Sequence, residues 1–189
     1  GQHPVYVDLL PPCNNACPAG ENIQAWLNLA QAGRMKEAWE KLIENNPMPA
    51  IHGRVCYHPC ESNCNRKQFD STVSIHAVER CLGEMAIAEN WSIPNAATPT
   101  VKKVLVVGAG PAGLSCAYHL RRMGHDVTLY DALDRLGGMM YIGIPDYRLP
   151  ANILATEAQR IIDMGIHLKL NYKVSDLLAE KEKGKFDAV

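Results

Sequence analysis

Apolar residues recur with two different periods along this chain, and the change from one to the other divides it. In the first half Met35, Ala38, Trp39, Leu42 and Ile43 fall at i, i+3, i+4, i+7 and i+8, one stripe of a helix that Asn45-Asn46-Pro47 stops. A helix over residues 21–32, closed by Gly33, is predicted before it, and a third over 73–90, with Ser71 or Thr72 as cap, after it. No alternating run marks a strand there. In the second half apolar, β-branched runs at 103–107, 126–130 and 166–170 alternate with helical stretches at 112–123 and 152–164. That order predicts βαβ units and a parallel sheet with right-handed crossovers. Lys185 to Val189 reads as the start of another strand.

Between the halves runs Ser92-Ile93-Pro94-Asn95-Ala96-Ala97-Thr98-Pro99-Thr100, whose two prolines forbid a continuous helix. The expected organisation is a helical domain over 1–97 and an α/β domain over 98–189.

Composition narrows the function classes. Nineteen basic against twenty acidic residues leave a net charge of −1, too little for a surface built to bind nucleic acid or anionic lipid. No stretch resembles a spanning helix, and the first residues lack the basic and apolar regions of an export signal, so a cytoplasmic protein is expected. Six of the seven cysteines lie in the first half, five of them in two bursts, which in a cytosolic chain points to metal before disulfides.

The run 104–107 leads directly into Gly108-Ala109-Gly110-Pro111-Ala112-Gly113 and then a helix, the context in which G-x-G-x-x-G implies a dinucleotide. Gly108 is expected to make the tight turn, Gly110 to leave room for a pyrophosphate, and Gly113 to let helix and strand pack closely. The helix N-terminus then faces the anion. Asp131, at the end of the next strand, is placed to accept the ribose hydroxyls, and an acid there disfavours a 2′-phosphate. Gly137-Gly138-Met139, followed by Ile144 to Pro150, resembles the FAD half of flavin disulfide-reductase-like enzymes.

Cys13 and Cys17-Pro18 reproduce the C-x3-C-P ending of ferredoxin runs, and Cys56, Cys60 and Cys64 add three thiols at equal spacing. Iron–sulfur ligation fits this pattern. Zinc sites favour C-x2-C, and zinc and disulfides stay open as minor alternatives. Cys81 and Cys116 read as small buried hydrophobes, and His52 and His58 as solvated loop residues or spare ligands.

Cys17-Pro18, Gly53-Arg54-Val55-Cys56, Pro59-Cys60, Cys64-Asn65 and the stretch from Gly108 to Arg148 together resemble the family of the NADPH-dependent glutamate synthase small subunit and the N-terminal region of dihydropyrimidine dehydrogenase. The resemblance implies an oxidoreductase in which NADPH reduces FAD and two 4Fe-4S clusters carry electrons to a second flavin in a partner domain or larger catalytic subunit. It maps Cys17, Cys56, Cys60 and Glu79 onto one cluster, and Cys13 and Cys64 onto half of the other. The remaining pair falls on Val5 and Asp8, a departure that puts a second complete cluster in doubt; an all-cysteine site with Cys64 in place of Glu79 is the alternative. FAD contacts map onto Val55, Gly108 to Ala112, Asp131 to Met139, Arg148 and Val174. NADPH would use a domain that this chain lacks. The sequence is therefore read as a fragment, inactive toward NADPH by itself, with an incomplete Rossmann-like FAD domain. A non-catalytic electron-transfer or adaptor module is the competing reading.

Overall fold

The computed structural model describes residues 10–94 and 97–189. Val5 and Asp8 lie outside them, as do two residues of the interdomain linker. The first half folds as α1 (Pro12–Ala16), α2 (Ile23–Gln31), α3 (Met35–Leu42), α4 (Pro49–Val55), α5 (Pro59–Ser62) and α6 (Ile75–Ala88), with a 3-10 turn at Asn65–Gln68. Among the described residues it contains no strand. The second half adds β1 (Lys103–Val107), α7 (Pro111–Arg122), β2 (Asp126–Tyr130), α8 (Met139–Ile142), α9 (Ala151–Ile162), β3 (His167–Lys169) and α10 (Leu177–Gly184). A helical region is thus followed by a Rossmann-like α/β region.

The sheet is parallel in the order β1-β2-β3, with Lys103 to Val107 paired to Asp126 to Tyr130 and Thr128 to Tyr130 paired to His167 to Lys169. On the other edge of β1, Asp187 N donates to Lys103 O at 2.8 Å and Leu105 N to Ala188 O at 3.0 Å. Ala188 thereby forms an isolated parallel bridge with Val104, in the stretch that reads as the start of a strand.

Two cores form. The smaller is built from Ile23, Trp26, Trp39, Leu42, Ile75 and Leu82, the inward faces of α2, α3 and α6. The larger holds Leu114, Tyr118, Val127, Leu129, Leu154 and Ile161, and it also takes in Met48 and Ile51 from the helical half. Helix α4, although it comes from the helical half, therefore belongs to the larger core. On its other side it lies backbone to backbone on α6. A Cβ added to Gly53 would come within 2.6 Å of Arg80 N, and one on Gly83 within 2.3 Å of Ala50 N. Glycine at both places allows the approach, and it fixes the end of α4, where Cys56 sits, against the helix that carries Glu79.

The halves are also tied by polar contacts. Tyr118 Oη donates to Ile43 O at 2.6 Å and Arg122 to Glu44 O at 2.7 Å. Glu157, fully buried on α9, accepts from Ala50 N at 3.2 Å and Ile51 N at 3.0 Å, and so caps α4 across the boundary.

Candidate cofactor-binding sites

All seven cysteines are free thiols, and five of them gather at the ends of short helices. Cys13 lies in α1 and Cys17 caps its C-terminus; Cys56 caps the C-terminus of α4, Cys60 lies in α5, and Cys64 follows α5. Helix α1 packs on α5, which brings the two bursts together. The thiols sort by whose charge reaches whom. Burial, reinforced by Cys17, Glu61 and Cys56, pushes the Cys60 thiol up to about 12. Burial also raises Cys17, with Glu21 and Glu79 adding to it. Cys13 is raised by burial with a smaller push from Cys64. Cys17 thus lies near Cys60 and Glu79, Cys56 near Cys60, and Cys64 near Cys13.

Glu79 is buried in α6, and its Oε1 accepts from Asn46 Nδ2 at 2.7 Å. The same Nδ2 donates to Glu21 Oε1 at 3.0 Å, and Trp26 Nε1 donates to Glu21 Oε2 at 3.2 Å. Burial and the facing Glu21 raise Glu79 far above the ordinary carboxylate range, because two carboxylates joined through one amide resist carrying two negative charges. Asn46 Oδ1 accepts from Met48 N at 3.1 Å and faces His52 Nδ1 at 2.6 Å. His52 is thus a packed residue of α4 rather than a solvated loop histidine, and burial lowers its pKa. His58 also departs from that expectation, since its Nε2 is buried without a partner. Cys81 and Cys116 are exposed, which corrects their reading as core residues: each lies on the outward side of its helix.

In this arrangement one buried thiol, Cys60, and the half-buried Cys17 and Cys56 lie near a buried carboxylate. Ionising them all in place is costly unless a positive centre replaces the protons, which is what the irons of a cluster supply. The donor set fits a 4Fe-4S group.

The three glycines of the loop sit in different surroundings. Gly108 has φ +105, and an added Cβ would meet nothing within 4 Å. On Gly110 it would meet only Gly138 Cα at 4.0 Å, so an open slot lies over the loop. On Gly113 it would lie 1.7 Å from Gly108 O. No side chain caps α7 at Gly110, and Pro111 and Ala112 are exposed, leaving the first turn free for an anion. Gly137 and Gly138 have φ +108 and +50 and press against Leu154 and Gly110, which makes them a required turn rather than a slack loop. Asp131 is buried beneath the glycine loop, where Oδ2 accepts from Ala109 N at 2.5 Å and Oδ1 from Leu133 N at 2.7 Å. Both oxygens brace the loop in this state. Met139 and Arg148 are exposed and Val174 is half-buried. Arg148 and Gly53 line a cavity of about 430 Å3 that His58 and His76 also border. Val55, the residue before Cys56, packs against the larger core.

The sequence gives little notice of Glu21, Asn46 and Glu157. Glu157 alone leaves a trace, as an acid on the apolar face formed by Leu154, Ala158 and Ile161.

Residues 9–91 match the family model described as dihydropyrimidine dehydrogenase domain II, 4Fe-4S cluster, and residues 106–170 match the NAD(P)-binding Rossmann-like domain. The chain is 39% identical over 182 residues to the NADPH-Fe(3+) oxidoreductase subunit beta of Geobacter sulfurreducens, covering 94% of this chain and 27% of that protein. It is 37% identical over 177 residues to the NADPH glutamate synthase small chain of Bacillus subtilis, covering 93% of this chain and 36% of the relative. The corresponding small chain of Mycobacterium tuberculosis is 36% identical over 182 residues, with 95% and 37% covered. The chain thus spans between about a quarter and a little over a third of the curated relatives it matches. No helix of the described residues is long and apolar enough to cross a membrane.

Proposed function

We propose that this relative of the glutamate synthase small chain, a dihydropyrimidine dehydrogenase-type 4Fe-4S region joined to an NAD(P)-binding Rossmann-like region, is the flavin-and-cluster part of an NADPH-linked oxidoreductase. Electrons from NADPH would enter FAD on the second half, pass to a 4Fe-4S cluster on the first, and leave to a larger catalytic partner or a second flavin domain. NADPH itself would bind on a further domain of the complete protein. When bound, the cluster supplies one-electron transfer and the flavin the exchange between hydride and single electrons.

In this reading Cys17, Cys56 and Cys60 hold the cluster and Glu79 is its fourth ligand. Cys13 and Cys64 are two ligands of a second. For FAD, Gly108 to Gly113 form the pyrophosphate cradle, Asp131 serves the ribose, and Gly137, Gly138, Met139, Arg148 and Val174 line the rest. Asp131 then exchanges its bond to Ala109 N for the ribose hydroxyls. The observation that carries the proposal is the placement of α4. Its last helical residue, Val55, packs on the Rossmann core, and the next, Cys56, belongs to the thiol neighbourhood. Flavin contact and cluster ligand are consecutive residues on one helix end.

Anaerobically purified protein is expected to contain about four irons per cluster with a broad visible band, and Cys56→Ser to lose the band of that cluster. Stoichiometric zinc without iron in anaerobic protein would refute the assignment.

A further inference from the structure

We propose that His58, Glu61 and His76 bind one divalent ion of the zinc class, at a place separate from the cysteine sulfurs. One ligand atom from each lies within 4.8 Å of the others. Metal–nitrogen and metal–oxygen bonds of about 2.0–2.2 Å bring ligand atoms to roughly 4 Å or less from one another, so a small side-chain rotation closes the set.

The three residues are held from different elements. His58 caps α5 with a left-handed backbone, φ +54, and its N–H points to Cys56 Sγ at 3.4 Å. Glu61 lies in α5, and His76 opens α6. The imidazoles of His58 and His76 stack with centroids 4.0 Å apart at 29°. Glu61 Oε1 accepts from His76 N at 3.0 Å and lies 2.7 Å from His76 Nδ1. Its Oε2 has no hydrogen-bond partner among the described residues.

The feature that asks for a ligand is His58 Nε2, which is buried yet hydrogen-bonded to nothing. A cation held between this nitrogen, the second imidazole and the carboxylate would give it the partner it lacks. Imidazole donors select zinc and its neighbours over calcium or magnesium, which prefer oxygen. Three protein ligands leave a fourth position for water. Of the arginines lining the adjoining cavity, Arg54 and Arg80 both pair with Glu84, and Arg148 is the remaining positive charge. An ion here would cross-link helix α5, which carries Cys60 and follows Cys56, to the start of the helix that carries Glu79.

The test uses the full chain with its iron–sulfur sites reconstituted anaerobically. One equivalent of zinc is added, the protein is desalted, and iron and zinc are measured in the same sample together with the zinc K-edge spectrum. The expected result is about one zinc with only nitrogen and oxygen neighbours, beside an unchanged iron content. His76→Ala and Glu61→Gln should each weaken zinc binding by at least the roughly 10–100-fold that losing an outer-shell partner costs, while keeping the iron and the helical circular dichroism of the wild type. Absence of retained zinc, sulfur in its first shell, or wild-type zinc affinity in the two variants overturns the proposal. Iron content reports the cluster reading separately, so failure of one is not mistaken for failure of the other.

Discussion

Gly110→Ala protein is expected to fold as the wild type does and yet to bind FAD about 10–100-fold more weakly, whereas Gly113→Ala is expected to fail earlier, in folding. The two glycines are three residues apart in one motif, and the space around them differs. A methyl on Gly110 meets only Gly138 Cα at 4.0 Å, an ordinary contact, and the φ of −77 suits alanine. That methyl fills the slot into which a pyrophosphate would settle. Losing one hydrogen bond to a charged group, about 1.5–3 kcal/mol, gives the fold-change. A methyl on Gly113 would lie 1.7 Å from Gly108 O, a backbone atom, so the strand–loop–helix junction must open. Overpacking of this kind costs about 1–3 kcal/mol or more. In a chain of this size each kcal/mol lowers Tm by about 2–4 °C. Thermal unfolding with fluorescence titration of FAD separates the two effects. Wild-type FAD affinity in Gly110→Ala would remove the pyrophosphate from this loop, and wild-type Tm in Gly113→Ala would contradict the packing role.

Elements whose signal is local were legible in the sequence. The limits of β1 and β2 coincide with the β-branched runs at 103–107 and 126–130, because the glycine loop ends one and the buried Asp131 follows the other. α3 follows the stripe from Met35 to Leu42. α4 was not legible. Pro49, Ala50, Ile51 and Gly53 are all buried, facing α6 on one side and the Rossmann core on the other, and a helix covered on two sides has no polar face to give it a period. The cap of α6 differs from the sequence expectation for a related reason. The sequence predicts Ser71 or Thr72, but Ser74 occupies the cap position without a side-chain bond, and Glu61 of α5 takes the free His76 N–H instead. A tertiary acceptor has displaced a local one.

The candidate site divides in the same way. The spacing of the thiols and the glycines is a property of short segments and can be read directly. The setting of Glu79 depends on Asn46, 33 residues away, and on Glu21, 25 residues from that asparagine. In the sequence Asn46 looks like part of a helix stop and Glu21 like a first-turn acid. Only the meeting of α2, α4 and α6 turns them into a buried network.

Glu157 leads to the second large effect, a pH dependence of the joint between the two halves. Its two hydrogen bonds from α4 favour the charged carboxylate, but complete burial outweighs them and raises its pKa from an ordinary 4.5 to about 7. Between those values the folded chain holds a proton that the unfolded chain releases, so this group's contribution to stability falls as pH rises through the window. At about 1.4 kcal/mol per pKa unit the loss is about 3 kcal/mol between pH 4.5 and 7. Glu157→Gln cannot titrate and keeps one acceptor oxygen for the two N–H groups. It should therefore be less stable than the wild type at pH 5, by the 1–3 kcal/mol of an unpaired buried group, and should close most of that gap by pH 7.5. Glu157→Ala removes both acceptors and should be destabilised at either pH. Urea unfolding of the three proteins at the two pH values measures this; their differences cancel the titration of Glu21, which all three share, and carry only the smaller change in Glu79, which the Glu157 charge helps to raise. Parallel pH dependence in wild type and Glu157→Gln would show that Glu157 stays ionised, and that the end of α4 is held by a permanent charge.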